Sequence, residues 1–316
     1  MKEPIAVSIV VPIYNEEDSV EPLYESIRQV CDSLPRAYEI VFVDDGSRDR
    51  SYELLKELHA RDPRVKVVRF RKNYGQTAAM AAGFRAARGE IVISMDGDLQ
   101  NDPCDIPRLI NKLEEGYDVV CGWRKDRKDK LVSRKIPSRI ANWLIGKITG
   151  VPIHDNGCSL KAYKKAVIKH VALYSELHRF IPAMSTLTGA RIAEIVVHHH
   201  PRRFGQSKYG ISRAWRVLSD LFLIKMLTGF SSRPALWFGI VSVPPILLGM
   251  SCVGWFVTWD GASVIFPTIA FLCFCLAGHL VMLGIIGEFI VQTSLYRPAH
   301  LISHSTGIGD RKKFLP

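Results

Sequence analysis

Residues 91–102 read IVISMDGDLQND, an apolar run that stops abruptly at two acids held one residue apart. Four of the first five residues are apolar and a Gly-Glu pair precedes them, which predicts a short buried strand over 91–95. Asp96 and Asp98 then fall at its carboxyl end. Open α/β sheets bind ligands there, because strand ends and helix starts leave a polar crevice. An Asp-x-Asp pair in that place can offer carboxylate oxygens to a hard divalent cation, which keeps other positions for water and substrate phosphate. Gly97 between them would let a diphosphate approach the backbone closely. Taken alone, the triplet reads more simply as a solvated turn, so the flanking chain has to decide.

Upstream, residues 7–11 form a near-continuous β-branched run that feeds Pro12-Ile13-Tyr14-Asn15-Glu16, a buried strand ending in a polar loop. A helix over 19–34 is expected, with Leu23, Ile27 and Val30 on one face. The next strand, 40–43, also ends in acids: Asp44, Asp45, Gly46, Ser47 and then Asp49. Helix 49–60, strand 65–70 and an Ala-rich helix 76–87 continue the alternation. Downstream, Asp102-Pro103 opens a helix that Gly116 stops, and a strand over 117–121 follows. Strands alternating with helices at this spacing give an α/β fold, a doubly wound and mostly parallel sheet. Two acid-bearing strand ends in one such sheet favour a shared crevice over two unrelated turns. The first strand lacks the G-x-G-x-x-G of dinucleotide sites and the chain lacks a P-loop, so a metal would have to do the work of the missing phosphate loops.

With 42 Lys and Arg against 31 Asp and Glu, the net charge is +11, and an excess of that size implies an anionic partner. Eight of the cations lie between residues 122 and 139. Most are expected to be solvated, but Arg124 and Arg134 flank the loop where they could grip phosphate. Asp155, in the turn His154-Asp155-Asn156-Gly157, is either a catalytic-site acid or a turn cap. A strand is expected to run over 196–200, and its three consecutive histidines are not expected to form a metal cluster, because neighbours on a strand point to opposite faces. The loop Arg202 to Tyr209 is either a surface hairpin or a flexible clamp on a phosphorylated ligand. Seven cysteines without CxxC pairs read as free thiols in a reducing compartment, and the amino terminus lacks a cleavage-site pattern.

The last quarter of the chain changes character. Residues 211–230 are amphipathic, and residues 235–259 carry no charge over about 25 positions, enough to cross a hydrocarbon core of about 30 Å. Residues 264–287 form a second such span with His279 as its one ionisable group. The connection Asp260-Gly261-Ala262-Ser263 has no Lys or Arg, whereas Arg233 precedes the hairpin and Arg297, Arg311, Lys312 and Lys313 follow it. The positive-inside rule then places both ends in the cytoplasm. The expected organisation is a catalytic domain over 1–210, a juxtamembrane helix over 211–232, a two-helix membrane hairpin within 233–292 and a cytoplasmic tail over 293–316.

The set PIYNE (12–16), VDDGS (43–47), DGDLQ (96–100), the Arg-bearing turn after Gly122, RRFGQSK (202–208) and the two-helix anchor resembles the polyprenyl-phosphate glycosyltransferases. These are family-2 glycosyltransferases of the GT-A fold, related to dolichyl-phosphate mannose synthase, and the layout is most similar to the bactoprenol glucosyltransferases. The resemblance implies that Pro12, Tyr14, Glu16, Val43 and Asp45 frame the base and ribose of a nucleotide sugar. It implies that Asp96, Gly97 and Asp98 hold the diphosphate through Mg2+ or Mn2+, with Asp96, Asp98 and Gln100 as the metal set. Arg124, Arg134, Arg179, Arg202 and Lys208 would bind diphosphate and acceptor phosphate, and Asp98, Asp155 and Arg124 would be the catalytic residues. Two positions depart from the family pattern: Trp123 ahead of Arg124, and Cys158-Ser159 after Asp155.

The activity this implies is inverting transfer of a hexose, glucose from UDP-glucose first, to a polyprenyl phosphate at the cytoplasmic face of the cell membrane. A GDP-mannose-using synthase and a non-catalytic nucleotide-sugar-sensing membrane partner are the alternatives. A processive polysaccharide synthase lacks support, since neither a larger translocating bundle nor a Gln-x-x-Arg-Trp motif is present. The partners expected are the nucleotide sugar, the lipid phosphate and the membrane, with room for a homo-oligomer and no nucleic acid.

Overall fold

The computed structural model describes residues 4–125, 146–147, 150–169, 177–186, 189–201, 233–259 and 263–293. Arg134, Arg202, Lys208 and the amphipathic stretch 211–232 lie outside the described residues. The chain divides into two units, Met1–Phe222 and Leu223–Pro316.

The first unit is built on a seven-stranded sheet of β1 (Val7–Ile13), β2 (Tyr38–Asp44), β3 (Val65–Arg69), β4 (Ile91–Ser94), β5 (Val119–Trp123), β6 (Lys161–Lys164) and β7 (Ile192–Val196). Their spatial order is β3-β2-β1-β4-β6-β5-β7. Period-2 alternation sorts the side chains onto two faces. Val7, Ile9, Val11 and Ile13 of β1, with Ile40 and Phe42 of β2, join one core. Val10, Val41 and Val43 join the other. Helices α1 (Glu17–Asp32), α2 (Ser51–Arg61) and α4 (Ile106–Glu114) cover the first face. Helix α3 (Gln76–Ala86) covers the second through Ala79, Met80 and Phe84. In α4, Ile106, Leu109, Ile110 and Leu113 are buried at helical spacing, and Asp102 caps the preceding turn by accepting the Cys104 N–H at 2.9 Å.

Every strand pair is parallel except those of β6, which runs antiparallel to both β4 and β5. The chain leaves β5 at the sheet's carboxyl end and enters β6 there, so β6 has to run backwards. Lys161, its first residue, thus stands opposite Ser94 and Cys121 at that rim. The strand expected over 196–200 is displaced: β7 ends at Val196, and beyond it His199 makes a single antiparallel bridge with Asn101. Two short helices, α5 (Lys165–Ile168) and α6 (Ile181–Ser185), are also present among the described residues of the unit.

The second unit is a hairpin of α7 (Pro234–Thr258) and α8 (Ile265–Thr293). Each is long and apolar enough to cross a bilayer, and large apolar side chains such as Leu247, Phe271 and Ile285 are exposed along both. Small residues let the helices close. A β-carbon added at Gly284 would stand 3.1 Å from the Ala235 Cα, and one at Gly287 would stand 3.0 Å from the Pro234 Cβ. Beside them the Ala235 N–H donates to the Glu288 carboxylate at 3.3 Å.

Candidate active site

Strand β4 delivers the acids. Past Ser94 the chain turns through Asp96, Gly97 and Asp98 to Leu99, whose φ of +60° is unusual for a residue with a side chain. The Gln76 side-chain amide donates to Asp96 at 2.6 Å, and the Asp98 carboxylate accepts the Gln100 N–H at 3.1 Å. Asn101, buried, closes the loop: its side-chain oxygen accepts from the Asp96 N–H at 3.0 Å and the Ser159 hydroxyl at 2.9 Å. Burial first, and then the charge of Asp98, raise the Asp96 carboxyl above its ordinary range. Gly97 also governs how the loop packs. A β-carbon there would strike Ile13 Cδ1 at 2.6 Å and the Pro12 carbonyl at 3.0 Å, so its bareness seats the acid loop against the end of β1.

The PIYNE and DDGS loops are laced together beside it. The Asn15 N–H donates to the Ser47 hydroxyl at 3.0 Å, the Arg48 N–H to the Asn15 side chain at 2.8 Å, and the Glu16 N–H to the Ser51 hydroxyl at 2.9 Å. The Asp45 carboxylate takes the N–H groups of Tyr74 and Gly75 at 2.7 and 2.9 Å and so holds loop 71–75 in place. Burial raises the Asp45 carboxyl, against the pull of those two donors. The Val43 side chain is fully buried in the second core, so only its backbone could face a ligand. Glu16 accepts from the Ser19 hydroxyl at 3.2 Å, at the start of α1. Between these loops lies a cavity of about 510 Å³, lined by Tyr14, Ser47, Arg48, Arg69, Arg71 and Lys72 among others. None of these four cations was singled out in the sequence.

On the other side of the acid loop, Arg124 and Asp155 form a two-pronged pair, Nε to Oδ2 at 2.7 Å and an Nη to Oδ1 at 3.0 Å. The Asp155 side chain is buried at 8% exposure and that of Arg124 is nearly so at 11%. The expected free grip of Arg124 on phosphate is therefore shared with an acid thirty-one residues away. Burial works against the Arg124 charge, but the bonds and charge of Asp155 more than reverse it. Lys161 is buried beneath the same turn, donating to the Asn156 and Cys158 carbonyls. Burial pushes the Cys158 thiol up to about 11, which keeps it protonated near neutral pH. Arg179 lies half-buried in the turn Leu177–Phe180, which packs on α3.

The histidines each find an acid or a backbone partner. The His198 N–H donates to Asp105 at 2.6 Å, the His199 backbone bridges to Asn101, and a His200 ring nitrogen lies 3.0 Å from Asp102. The His200 N–H also donates to the Gln100 carbonyl at 2.9 Å. Asn101, Glu194 and His200 are site neighbours that composition did not reveal, since their importance comes from contacts across the chain.

A divalent cation fits the donor set on this loop. Among the described residues no three His, Cys, Asp or Glu side chains stand together as a closed site. Two carboxylates, one of them costly to ionise alone, with an amide two residues on, suit a hard ion that completes its shell with water and phosphate.

Comparison with known proteins places the chain. Residues 8–172 match Glycosyl transferase family 2. A dodecaprenyl-phosphate galacturonate synthase of Rhizobium johnstonii is 48% identical over 239 residues, covering 74% of this chain and 71% of that one. An undecaprenyl-phosphate 4-deoxy-4-formamido-L-arabinose transferase of Edwardsiella ictaluri is 39% identical over 291 residues, covering 90% and 88%. Among solved structures, glucosyl-3-phosphoglycerate synthase from Mycobacterium tuberculosis, in complex with Mn2+, UDP and phosphoglyceric acid, superposes with a TM-score of 0.55 at 19% identity, over 71% of this chain and 80% of that one. That likeness concerns the fold, which is GT-A. With the family match and the two relatives in agreement, the chain belongs to glycosyl transferase family 2 and is a glycosyltransferase.

Proposed function

We propose that this protein transfers a sugar from a nucleoside diphosphate donor to a polyprenyl phosphate at the cytoplasmic face of the inner membrane, to which its C-terminal hairpin anchors it. The observation that carries the reading is the pairing of Asp96 and Asp98 at the rim of β4, beside a cavity lined by four cations, Arg48, Arg69, Arg71 and Lys72. An acidic pair alone would repel a diphosphate, and basic walls alone would bind any anion. Together they suit a metal-bound diphosphate. Both named relatives act on polyprenyl phosphates, which supports the lipid acceptor. Their sugars are a galacturonate and a formamido-arabinose, so UDP-glucose loses the first place it holds on resemblance, and a charged or amide-bearing sugar takes it.

Asp96, Asp98 and Gln100 would hold Mg2+ or Mn2+, which supplies positive charge against the departing diphosphate when bound. The chain's own contribution is electrostatic. Arg124, held in place by Asp155, adds to that stabilisation where the diphosphate's charge develops. The acceptor phosphate is largely dianionic near neutral pH, its second pKa being about 6, so it attacks the anomeric carbon without a strong general base. Asp155 has both oxygens engaged by Arg124 and acts by orientation, not by taking a proton. Tyr14 and Ser47 lie on the cavity wall where base and ribose would rest. Arg134, Arg179, Arg202 and Lys208 are assigned to the acceptor phosphate.

The test is a panel of labelled UDP- and GDP-sugars, uronate, amino-pentose, glucose and mannose, given to detergent-purified protein with polyprenyl phosphate and Mg2+ or Mn2+. Label should pass into organic-extractable lipid, and Asp98→Asn should lower the rate about 100-fold or more. Full turnover by Asp98→Asn would remove the metal role, and no lipid product from any donor would remove the activity.

A further inference from the structure

One acid near the site remains without a role. Glu194 stands on β7 in register with Cys121 of β5, and its side chain is 13% exposed. It takes three donors from two consecutive residues. The backbone N–H groups of His154 and Asp155 each donate to Oε1 at 3.1 Å, and His154 Nδ1 lies 2.7 Å from Oε2. The His154 ring in turn stacks on Trp123, with centroids 4.3 Å apart and planes 17° from parallel. A carboxylate that binds two successive amides fixes both the place and the direction of the backbone there. The next side chain along is Asp155, which grips Arg124, and the charge of Arg124 acts on Asp96. The same strand continues toward the acid loop: the Val197 N–H donates to the Trp123 carbonyl at 3.0 Å, and the His200 N–H to the Gln100 carbonyl. A single element therefore references the Asp155 turn and the acid loop to each other.

We propose that Glu194 is a positioning residue for the glycosyl transfer: it sets the His154-Asp155 turn, and through Asp155 it seats the Arg124 guanidinium. This rests on the role given to Arg124 under the proposed function. Glu194 touches neither substrate, and its effect passes wholly through Arg124.

The experiment uses full-length protein in detergent with four variants: Glu194→Ala, Glu194→Asp, Glu194→Gln and Arg124→Ala. Glu194→Asp retracts the carboxylate while keeping its charge, and it serves if Glu194→Ala folds poorly. Glu194→Gln keeps an oxygen that can accept both amides. With the best donor, Glu194→Ala and Glu194→Asp should lower kcat about 10- to 100-fold while moving the donor KM by less than about threefold, and Glu194→Gln should recover most of the rate. In an Arg124→Ala background, Glu194→Ala should have little further effect, because both act through one group. A residue that merely supported the fold would lower Tm and reduce the rate equally in both backgrounds, which would overturn the proposal. A second readout needs no turnover. Arg124, 11% exposed, should react slowly with a guanidine-specific dicarbonyl in wild type and about tenfold faster in Glu194→Ala, as read by peptide mass spectrometry. If wild type makes no lipid-linked sugar, the proposed function fails and this labelling alone decides Glu194. Equal Arg124 labelling in wild type and Glu194→Ala would end the positioning role.

Discussion

At the scale of single residues, this site depends on what is missing as much as on what is present. Gly46 sits at φ +70°, and a β-carbon added there would lie 2.5 Å from the Lys72 carbonyl carbon and 2.8 Å from the Asn73 nitrogen. Both obstacles are backbone, so neither can swing aside. Gly46→Ala should therefore push loop 71–75 away from the DDGS turn, cost about 1–3 kcal/mol in stability, and weaken binding of the donor nucleotide about tenfold. Thermal melts and calorimetry with UDP and with GDP check this, and unchanged affinity for the nucleotide that the wild type binds would mean that the cavity between those loops is not the donor site. The paired acids Asp96 and Asp98 were legible because an apolar run that breaks at two carboxylates marks a buried strand opening onto a polar rim. The partnership of Arg124 with Asp155 was not, since nothing local links residues thirty-one apart. Asp45 stands out in the sequence as an acid at a strand end, but its two amide donors, Tyr74 and Gly75, lie on a different loop and have no local signal.

Secondary-structure elements carry a separate set of charges at the far rim of the sheet. Arg64, before β3, pairs with Asp62 at 2.9 Å and with Asp32 at the end of α1 at 2.5 Å, while Tyr38 at the start of β2 donates to Asp32 at 2.6 Å. The Tyr38 hydroxyl first and Arg64 next hold the Asp32 carboxyl below its ordinary range. For Asp62, burial opposes the shift, but the bonds from Arg64 and Tyr24 win and the carboxyl is again held low. Groups depressed in the folded state contribute stability that is fully present above their unfolded value, near 3.8, and is lost as pH falls through the lower folded values. Arg64→Met should thus lower Tm near neutral pH, and its deficit against wild type should shrink below about pH 4. A deficit independent of pH would assign the loss to packing. Most of the parallel strands were readable as elements because each carries at least three apolar residues between turn signals; β7, read four residues too late, was the exception. The reversal of β6 was not readable. Its sequence, Lys-Ala-Tyr-Lys, has no directional signal, and its orientation follows from where the chain leaves β5.

For the molecule as a whole, the apolar hairpin was legible in the sequence, because two long runs without charged residues predict two helices long and apolar enough to cross a bilayer. Its orientation is a proposal that rests on charge asymmetry. Ser263, exposed beside the connection, and Cys104, exposed in the first unit, allow a direct check. In intact cells, Ser263→Cys should be labelled by a membrane-impermeant maleimide, and Cys104 should react only after permeabilisation. Labelling of Cys104 from outside would invert the topology. The glycines at positions 284 and 287 have a wider consequence. Where the first span begins and the second ends, the two backbones are fastened side by side, and the Glu288 carboxylate at that level is occupied by the Ala235 amide. The anchor is therefore a staple with a welded crown rather than two independent pegs. Bulk added at the crown would pry the legs apart, whereas bulk added along the exposed outer faces would not meet the other leg.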